Sequence, residues 1–101
     1  SVWVLYLNSK SIFILFFFFF FNDTATTEIY TREIIRRSID LGAAAIILVH
    51  NHPSGDSAPS RQDISMTREI IETGKRLGIS VHDHVIVGKD GFSSMRSAGL
   101  I

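Results

Sequence analysis

Two histidines, a serine and an aspartate lie close together in this chain, with a spacing that suits metal chemistry. They are His50, His52, Ser60 and Asp63, in the pattern H-x-H-x7-S-x2-D. Two neutral imidazoles and a carboxylate are suitable ligands for a catalytic zinc ion, and three protein ligands leave its fourth tetrahedral position open. The chain has no cysteine, so a zinc site must use histidine and carboxylate ligands. The pattern therefore indicates metal-assisted hydrolysis, provided that a proton acceptor lies nearby.

Asp63 also has a purely structural interpretation. Ser60 and Asp63 have the S-x-x-D spacing of a capping box that opens a helix, so the carboxylate could serve helix amides instead of a metal. Both interpretations stay open, because they compete for the same two oxygens. The preceding Pro53-Ser54-Gly55-Asp56 has the composition of a turn. We therefore expect Asp56 to be a turn residue or a support for the ligands, and not a ligand itself.

A second polar group, His82-Asp83-His84, falls on a predicted strand. Regular alternation would place His82 and His84 on one face, and Asp83 on the face of Val81 and Val85. We favour a partly exposed edge strand with one buried, hydrogen-bonded histidine. The alternative is that Asp83 or His84 lies near the metal and orients its ligands.

The pattern of apolar residues predicts strands that alternate with helices, an α/β order. Strands are expected at residues 2–7, 12–21, 43–49, 79–87 and 92–95, and helices at residues 31–41 and 60–77. The apolar run at 43–49 predicts a strand that is covered on both faces, with His50 at its end. On an extended backbone His50 and His52 point to the same side, at the end of the strand where α/β proteins favour ligand sites.

Size and charge limit the possible functions. The chain has 101 residues, so we expect one small domain over residues 1–101. Lys+Arg and Asp+Glu number 10 each, which does not favour autonomous nucleic-acid binding, although Arg32, Arg36 and Arg37 could form a local patch. The absence of cysteine fits a cytoplasmic location. The apolar run at 12–21 is too short to cross a bilayer as a helix, so no membrane partner is expected.

Longer stretches around the motif resemble a known family. The run HNHPSGDSAPSRQD, the segment DHVIVG, the ending GFSSMRSAGLI and the upstream REIIRRSIDLGAAAIILVH are similar to the RadC branch of the JAB/MPN proteins, which carry the JAMM metal motif. The resemblance is close over residues 31–101 and looser over residues 2–11. It implies an α/β fold related to the deaminase-like folds, with a curved mixed sheet flanked by helices.

The resemblance also implies site residues and a function. His50, His52 and Asp63 would bind zinc, and Ser60 would assist catalysis by hydrogen-bonding the water or the developing oxyanion. Proteolytic relatives cleave isopeptide bonds, which makes a peptide or isopeptide the implied substrate. RadC proteins are linked by name to DNA repair and usually carry a helix-hairpin-helix segment before this domain, which residues 1–101 lack.

One part of the chain departs from the family pattern. The JAMM motif includes an upstream glutamate on the second strand, which accepts a proton from water and passes it to the leaving group. Residues 12–21 contain no acidic residue, and Phe16 or Phe17 occupies about the expected position. Neither Glu28 nor Glu33 matches by position. We therefore expect a zinc-binding domain whose hydrolytic activity is impaired.

The departure extends over residues 12–30. Seven of the eight phenylalanines fall between Phe13 and Phe21, and FFFFFFNDTATTEIYT resembles translated adapter DNA joined to a genuine domain. We interpret the segment as foreign to the family; a true insertion with a lost glutamate is the alternative. Resequencing the source DNA across this segment distinguishes the two.

Three functions follow as hypotheses from these observations. The first is a RadC-like, zinc-dependent hydrolase of JAMM type, a candidate metalloprotease. The second is a non-catalytic interaction module, as inactive MPN domains are, and the missing glutamate favours it for this chain. The third is a nucleic-acid-associated repair factor, which the neutral charge does not favour.

Overall fold

The computed structural model describes residues 2–8, 13–18, 27–52 and 54–101, with residues 13–18 and 27–29 described by their backbone. Five strands and two helices are formed within these ranges. The strands are β1 (Val2–Leu7), β2 (Phe13–Phe18), β3 (Ala45–Asn51), β4 (Ser80–Val87) and β5 (Phe92–Ser94). The helices are α1 (Thr27–Asp40), which precedes β3, and α2 (Arg61–Lys75), which connects β3 to β4.

The strands form one mixed sheet in the order β2-β1-β3-β4-β5. β3 and β4 are parallel, as expected for two strands that a helix connects. β1 is antiparallel to both β2 and β3, and β5 is antiparallel to β4. The predicted α/β class, with a mixed sheet flanked by helices, is therefore confirmed.

The core lies between the helices and one face of the sheet. Every second residue of β1 is buried, and so are Ile46 and Leu48 of β3, whereas Ile47 and Val49 are partly exposed. The prediction that the apolar run at 43–49 is covered on both faces is therefore wrong for the described structure, because only one face is fully buried. The buried cluster consists of Val2, Val4, Tyr6, Ile34, Ile35, Ile46, Leu48, Met66, Ile70, Ile79 and Val81.

Two element boundaries differ from the sequence-based prediction. α1 begins at Thr27 instead of residue 31, because residues 27–30 contain no glycine or proline and Tyr30 packs against the core. β3 continues to Asn51, so His50 lies within the strand and not at its end. The pairing even continues to His52, whose backbone N–H donates to the carbonyl of Val87 at 3.1 Å.

A β-bulge in β4 decides which side chains of that strand reach the core. Ile46 pairs with Val81 and Ile47 pairs with Asp83, so His82 is an extra residue. An extra residue shifts the alternation of a strand by one position. As a result His84 is buried while His82 is exposed, and the prediction that they share a face is wrong. β4 is also not an edge strand, because β5 pairs with it on the side away from β3.

The helices α1 and α2 are both too short and too polar to span a membrane, so the described part of the chain offers no candidate membrane-spanning helix.

Candidate metal centre

The predicted metal ligands come together where β3 passes into α2. His50 Nδ1 lies 2.9 Å from Asp63 Oδ1, and His52 Nε2 lies 2.7 Å from Asp63 Oδ2. The two imidazole rings meet edge to face, with centroids 4.7 Å apart. Their side chains are 14% exposed and that of Asp63 is 6% exposed. One ligand atom from each residue lies within 4.8 Å of the others, so the three residues form a group that could hold a metal ion.

Asp63 also forms the predicted capping box of α2. Its backbone N–H donates to Ser60 Oγ at 3.0 Å, and its Oδ2 accepts the backbone N–H of Ser60 at 2.8 Å. The two interpretations of Asp63 therefore do not exclude each other. Oδ2 is shared between the Ser60 amide and His52, whereas Oδ1 faces His50. The capping bond fixes the carboxylate rotamer that faces the histidines.

The environment of Asp63 keeps its carboxyl group ionised. Burial alone would raise its pKa, but the hydrogen bonds from His50 and from Ser60 outweigh burial and hold the pKa well below its usual range. An ionised carboxylate next to two imidazoles has the charge that a divalent cation requires.

The contacts of His52 test whether these residues fit a metal. Its Nδ1 lies 2.8 Å from the carbonyl oxygen of Asp56, while its Nε2 faces a carboxylate oxygen of Asp63. Both oxygens are acceptors, and a neutral imidazole has only one N–H, so one of the two contacts lacks a hydrogen. A cation between Nε2 and Asp63, either a proton or a metal ion, satisfies both. Metal-bound histidines typically donate their other ring N–H to a backbone carbonyl or a carboxylate, as His52 can here.

The turn that supplies the Asp56 carbonyl is held by the end of β4. Gly55 N–H donates to His52 O at 3.0 Å, and Asp56 Oδ1 accepts the N–H of Ala58 at 3.0 Å. Lys89 N–H binds the carbonyl of Gly55 at 2.8 Å. Residues 54–56 thus form the predicted turn, in which the carbonyl of the turn residue Asp56 contacts His52; Pro53 lies outside the described residues.

Ser60 lies beside the predicted ligands at the start of α2 and is exposed. Its hydroxyl oxygen accepts the Asp63 amide, and that bond leaves the hydroxyl hydrogen available. Ser60 can therefore donate to a group that approaches the three predicted ligands from solvent.

His84 and Asp83, which belong to the second polar group of the sequence, have different environments on β4. His84 is fully buried, its Nδ1 lies 2.6 Å from Thr67 Oγ1, and its ring centroid lies 6.0 Å from that of His50. The prediction of one buried, hydrogen-bonded histidine is confirmed. Asp83 instead accepts the backbone N–H groups of His84 and Arg96, so it ties β4 to the C-terminal turn.

The sequence reasoning missed Thr67, whose only signal was its place one helical turn after Asp63.

The register of β2 bears on the upstream glutamate. Phe16 pairs with Val4, Phe17 with Trp3, and Phe18 with Val2, which in turn pairs with His50. Directly paired residues share a face of the sheet. Val2 and Val4 are fully buried on the face of His50, whereas Trp3 is 39% exposed on the other. Of the two expected positions, 16 therefore belongs to the face of the metal group and 17 does not.

The fold and the site define an α/β domain whose candidate metal centre spans a strand and the start of the following helix. The family model of the RadC-like JAB domain matches residues 1–100. The chain therefore belongs to the RadC-like JAB domain family, which confirms the resemblance seen in its sequence. The foreign origin of residues 12–30 stays a prediction.

Proposed function

We propose that this chain is a zinc-dependent hydrolase domain of the JAMM type whose activity is impaired by the lack of a glutamate on β2. The observation that carries the proposal is the arrangement of His52, with Nδ1 at the carbonyl of Asp56 and Nε2 at the carboxylate of Asp63. A histidine held in this way, beside a second histidine and an ionised aspartate, has the ligand set of a catalytic zinc site.

The proposal gives each residue a role. His50, His52 and Asp63 hold the ion, and the carbonyl of Asp56 keeps the ring of His52 in place. Zinc would supply a Lewis acid that polarises a substrate carbonyl and makes water more acidic. Ser60 would donate its hydroxyl hydrogen to the oxygen that becomes negative as an amide carbonyl is attacked. The proposed substrate is a peptide or isopeptide.

Proton transfer is the catalytic step for which this proposed site has no free carboxylate among the described residues. The candidate group contains one carboxylate, that of Asp63, and both of its oxygens accept hydrogen bonds from the site itself. A general base typically contributes a factor of about 10² to 10⁴ to the rate, so a site without one is expected to be slower by that factor. The second candidate function, a non-catalytic metal-binding module, is favoured by the same observation.

Zinc content tests the proposal. The purified chain should carry one zinc per molecule, measured by elemental analysis after exhaustive dialysis. His52→Ala should lose the metal, because it removes a ligand. His82→Ala is the matched control, since His82 is an exposed histidine on the bulge of β4, and it should keep the metal. A wild-type chain without zinc, or a His52→Ala variant that retains it, would show that the ligand assignment is wrong.

An assay with an isopeptide substrate then separates the two candidate functions. Slow hydrolysis that is lost in His52→Ala supports an impaired hydrolase. Zinc binding without hydrolysis above the His52→Ala background supports the non-catalytic module. A single domain over residues 1–101 and a cytoplasmic location stay predictions.

A further inference from the structure

Thr67 connects the backbone of Asp63 to His84. Its hydroxyl oxygen lies 2.6 Å from the carbonyl oxygen of Asp63, one helical turn earlier, and 2.6 Å from Nδ1 of His84 on β4. Thr67 and His84 are both fully buried. The contact therefore joins the first turn of α2 to the sheet in an environment from which water is excluded.

The single hydroxyl hydrogen of Thr67 determines the direction of these bonds. A carbonyl oxygen can only accept, so Thr67 donates to Asp63 and accepts from His84. Nδ1 of His84 must therefore carry a hydrogen, whether the ring is neutral or charged. Burial, as the largest cause, lowers the pKa of His84 to about 4, so the ring is neutral near pH 7 with its hydrogen on Nδ1.

Nε2 of His84 has no hydrogen-bond partner among the described residues. An unpartnered polar atom in a buried position is destabilising, and an apolar side chain would avoid that cost. Stability alone thus does not account for a histidine here. What His84 provides is its Nδ1–H, directed at Thr67.

We propose that His84 and Thr67 are positioning residues of the metal centre, which hold the Asp63 carboxylate in reach of His50 and His52. The inference rests on the proposed function, because it assigns to these residues a part in metal binding.

The topology of the fold places the contact between Thr67 and His84 next to the proposed metal site. His50 is on β3, which pairs in parallel with β4, and His84 pairs with Leu48, two residues before His50. Asp63 is on α2, outside the sheet. The contact from His84 through Thr67 therefore joins α2 to the strand that pairs with the one carrying His50. Supporting groups of this kind typically change metal affinity by about 10- to 100-fold when they are removed.

Zinc affinity, measured by competition with a chromophoric chelator, tests the proposal with matched pairs of variants. Thr67→Val removes the hydroxyl at nearly constant volume and should weaken binding by about 10- to 100-fold, whereas Thr67→Ser should restore it. Thr73→Val is the control, because Thr73 makes the same bond to a helix carbonyl, that of Glu69 at 2.9 Å, but is exposed. Its affinity should equal that of the wild type.

His84 is tested by two amides. The side-chain amide of His84→Asn can place a donor where Nδ1–H lies, so this variant should bind zinc better than His84→Gln, whose amide lies farther along the side chain. Wild-type affinity in folded Thr67→Val, or equal affinities in His84→Asn and His84→Gln, would overturn the proposal.

Nitrogen NMR of the wild-type chain provides a test that does not depend on whether any variant folds. The hydrogen of the neutral His84 ring is expected on Nδ1, and a hydrogen on Nε2 alone would overturn the proposal.

The outcomes also separate the inference from the proposed function. A wild-type chain that binds no zinc overturns both, whereas zinc binding that is insensitive to Thr67→Val overturns the inference alone.

Discussion

Nδ1 of His52 lies 2.8 Å from the carbonyl oxygen of Asp56, so a backbone atom four residues away orients this ring. That carbonyl belongs to a turn that packs against Gly88, at the end of β4. A Cβ atom at position 88 would overlap the carbonyl oxygen of Gly55 and lie 2.8 Å from the amide nitrogen of Ser57. The orientation of His52 thus depends on a glycine that is distant in sequence.

Gly88→Ala is therefore expected to weaken zinc binding. The added methyl group has to displace the backbone of residues 55–57, and the Asp56 carbonyl moves with it. We expect a loss of about 10- to 100-fold in zinc affinity, the range typical for groups that support a ligand. Gly91→Ala is the control, because a Cβ there meets no atom within 4 Å. Equal affinities in the two variants would show that the turn does not orient His52.

The local part of this site could be predicted from sequence. The H-x-H spacing on an extended backbone implied that His50 and His52 share a side, and the S-x-x-D spacing implied the capping box; both are observed. These features depend on neighbours in sequence. The contact between Thr67 and His84 could not be predicted, because it depends on the bulge at His82, which reverses the alternation of β4.

Asp63 belongs both to the capping box and to the proposed metal site, and we expect substitutions to separate these two roles. Asp63→Asn keeps an oxygen that can accept the Ser60 amide but loses the negative charge, so we expect zinc binding to be lost. Ser60→Ala removes the cap and should lower the free energy of unfolding by about 1 kcal/mol, while the three ligands keep the metal. Urea unfolding and zinc content of both variants provide the measurements. Wild-type zinc affinity in Asp63→Asn would mean that the carboxylate serves the helix alone.

His84 predicts a pH dependence of stability. Its pKa is about 4 in the folded chain, against an ordinary value of 6.5, so the unfolded chain binds one more proton between these limits. Above pH 6.5 the titration of His84 therefore does not reduce the free energy of unfolding. As the pH drops towards 4, this group lowers the free energy of unfolding by about 3 kcal/mol in total. Denaturant unfolding of the metal-free chain from pH 7 to 4 gives the curve. His84→Asn cannot titrate, so its stability should decline less over this range, and parallel curves would contradict the prediction.

The register of β2 sharpens the expectation for a restored glutamate. Position 18 is aligned with His50 across β1, and position 16 lies on the same face, whereas position 17 lies on the face of Trp3. Neighbouring strands lie about 4.8 Å apart, so position 18 is separated from His50 by about twice that distance. A glutamate at 16 or 18 thus starts from the correct face, and a glutamate at 17 does not.

Phe16→Glu and Phe18→Glu are consequently expected to raise zinc-dependent hydrolysis of an isopeptide substrate, with Phe17→Glu as the matched control. A well-placed general base is worth a factor of about 10² to 10⁴ in rate, so the gain should be measurable even if the geometry is imperfect. The control adds the same charge to the same strand, and hence separates catalysis from a change in solubility or net charge. A gain in Phe17→Glu equal to that of the other two would contradict the register argument. Full activity in the unmodified chain would show that the proton acceptor is some other group.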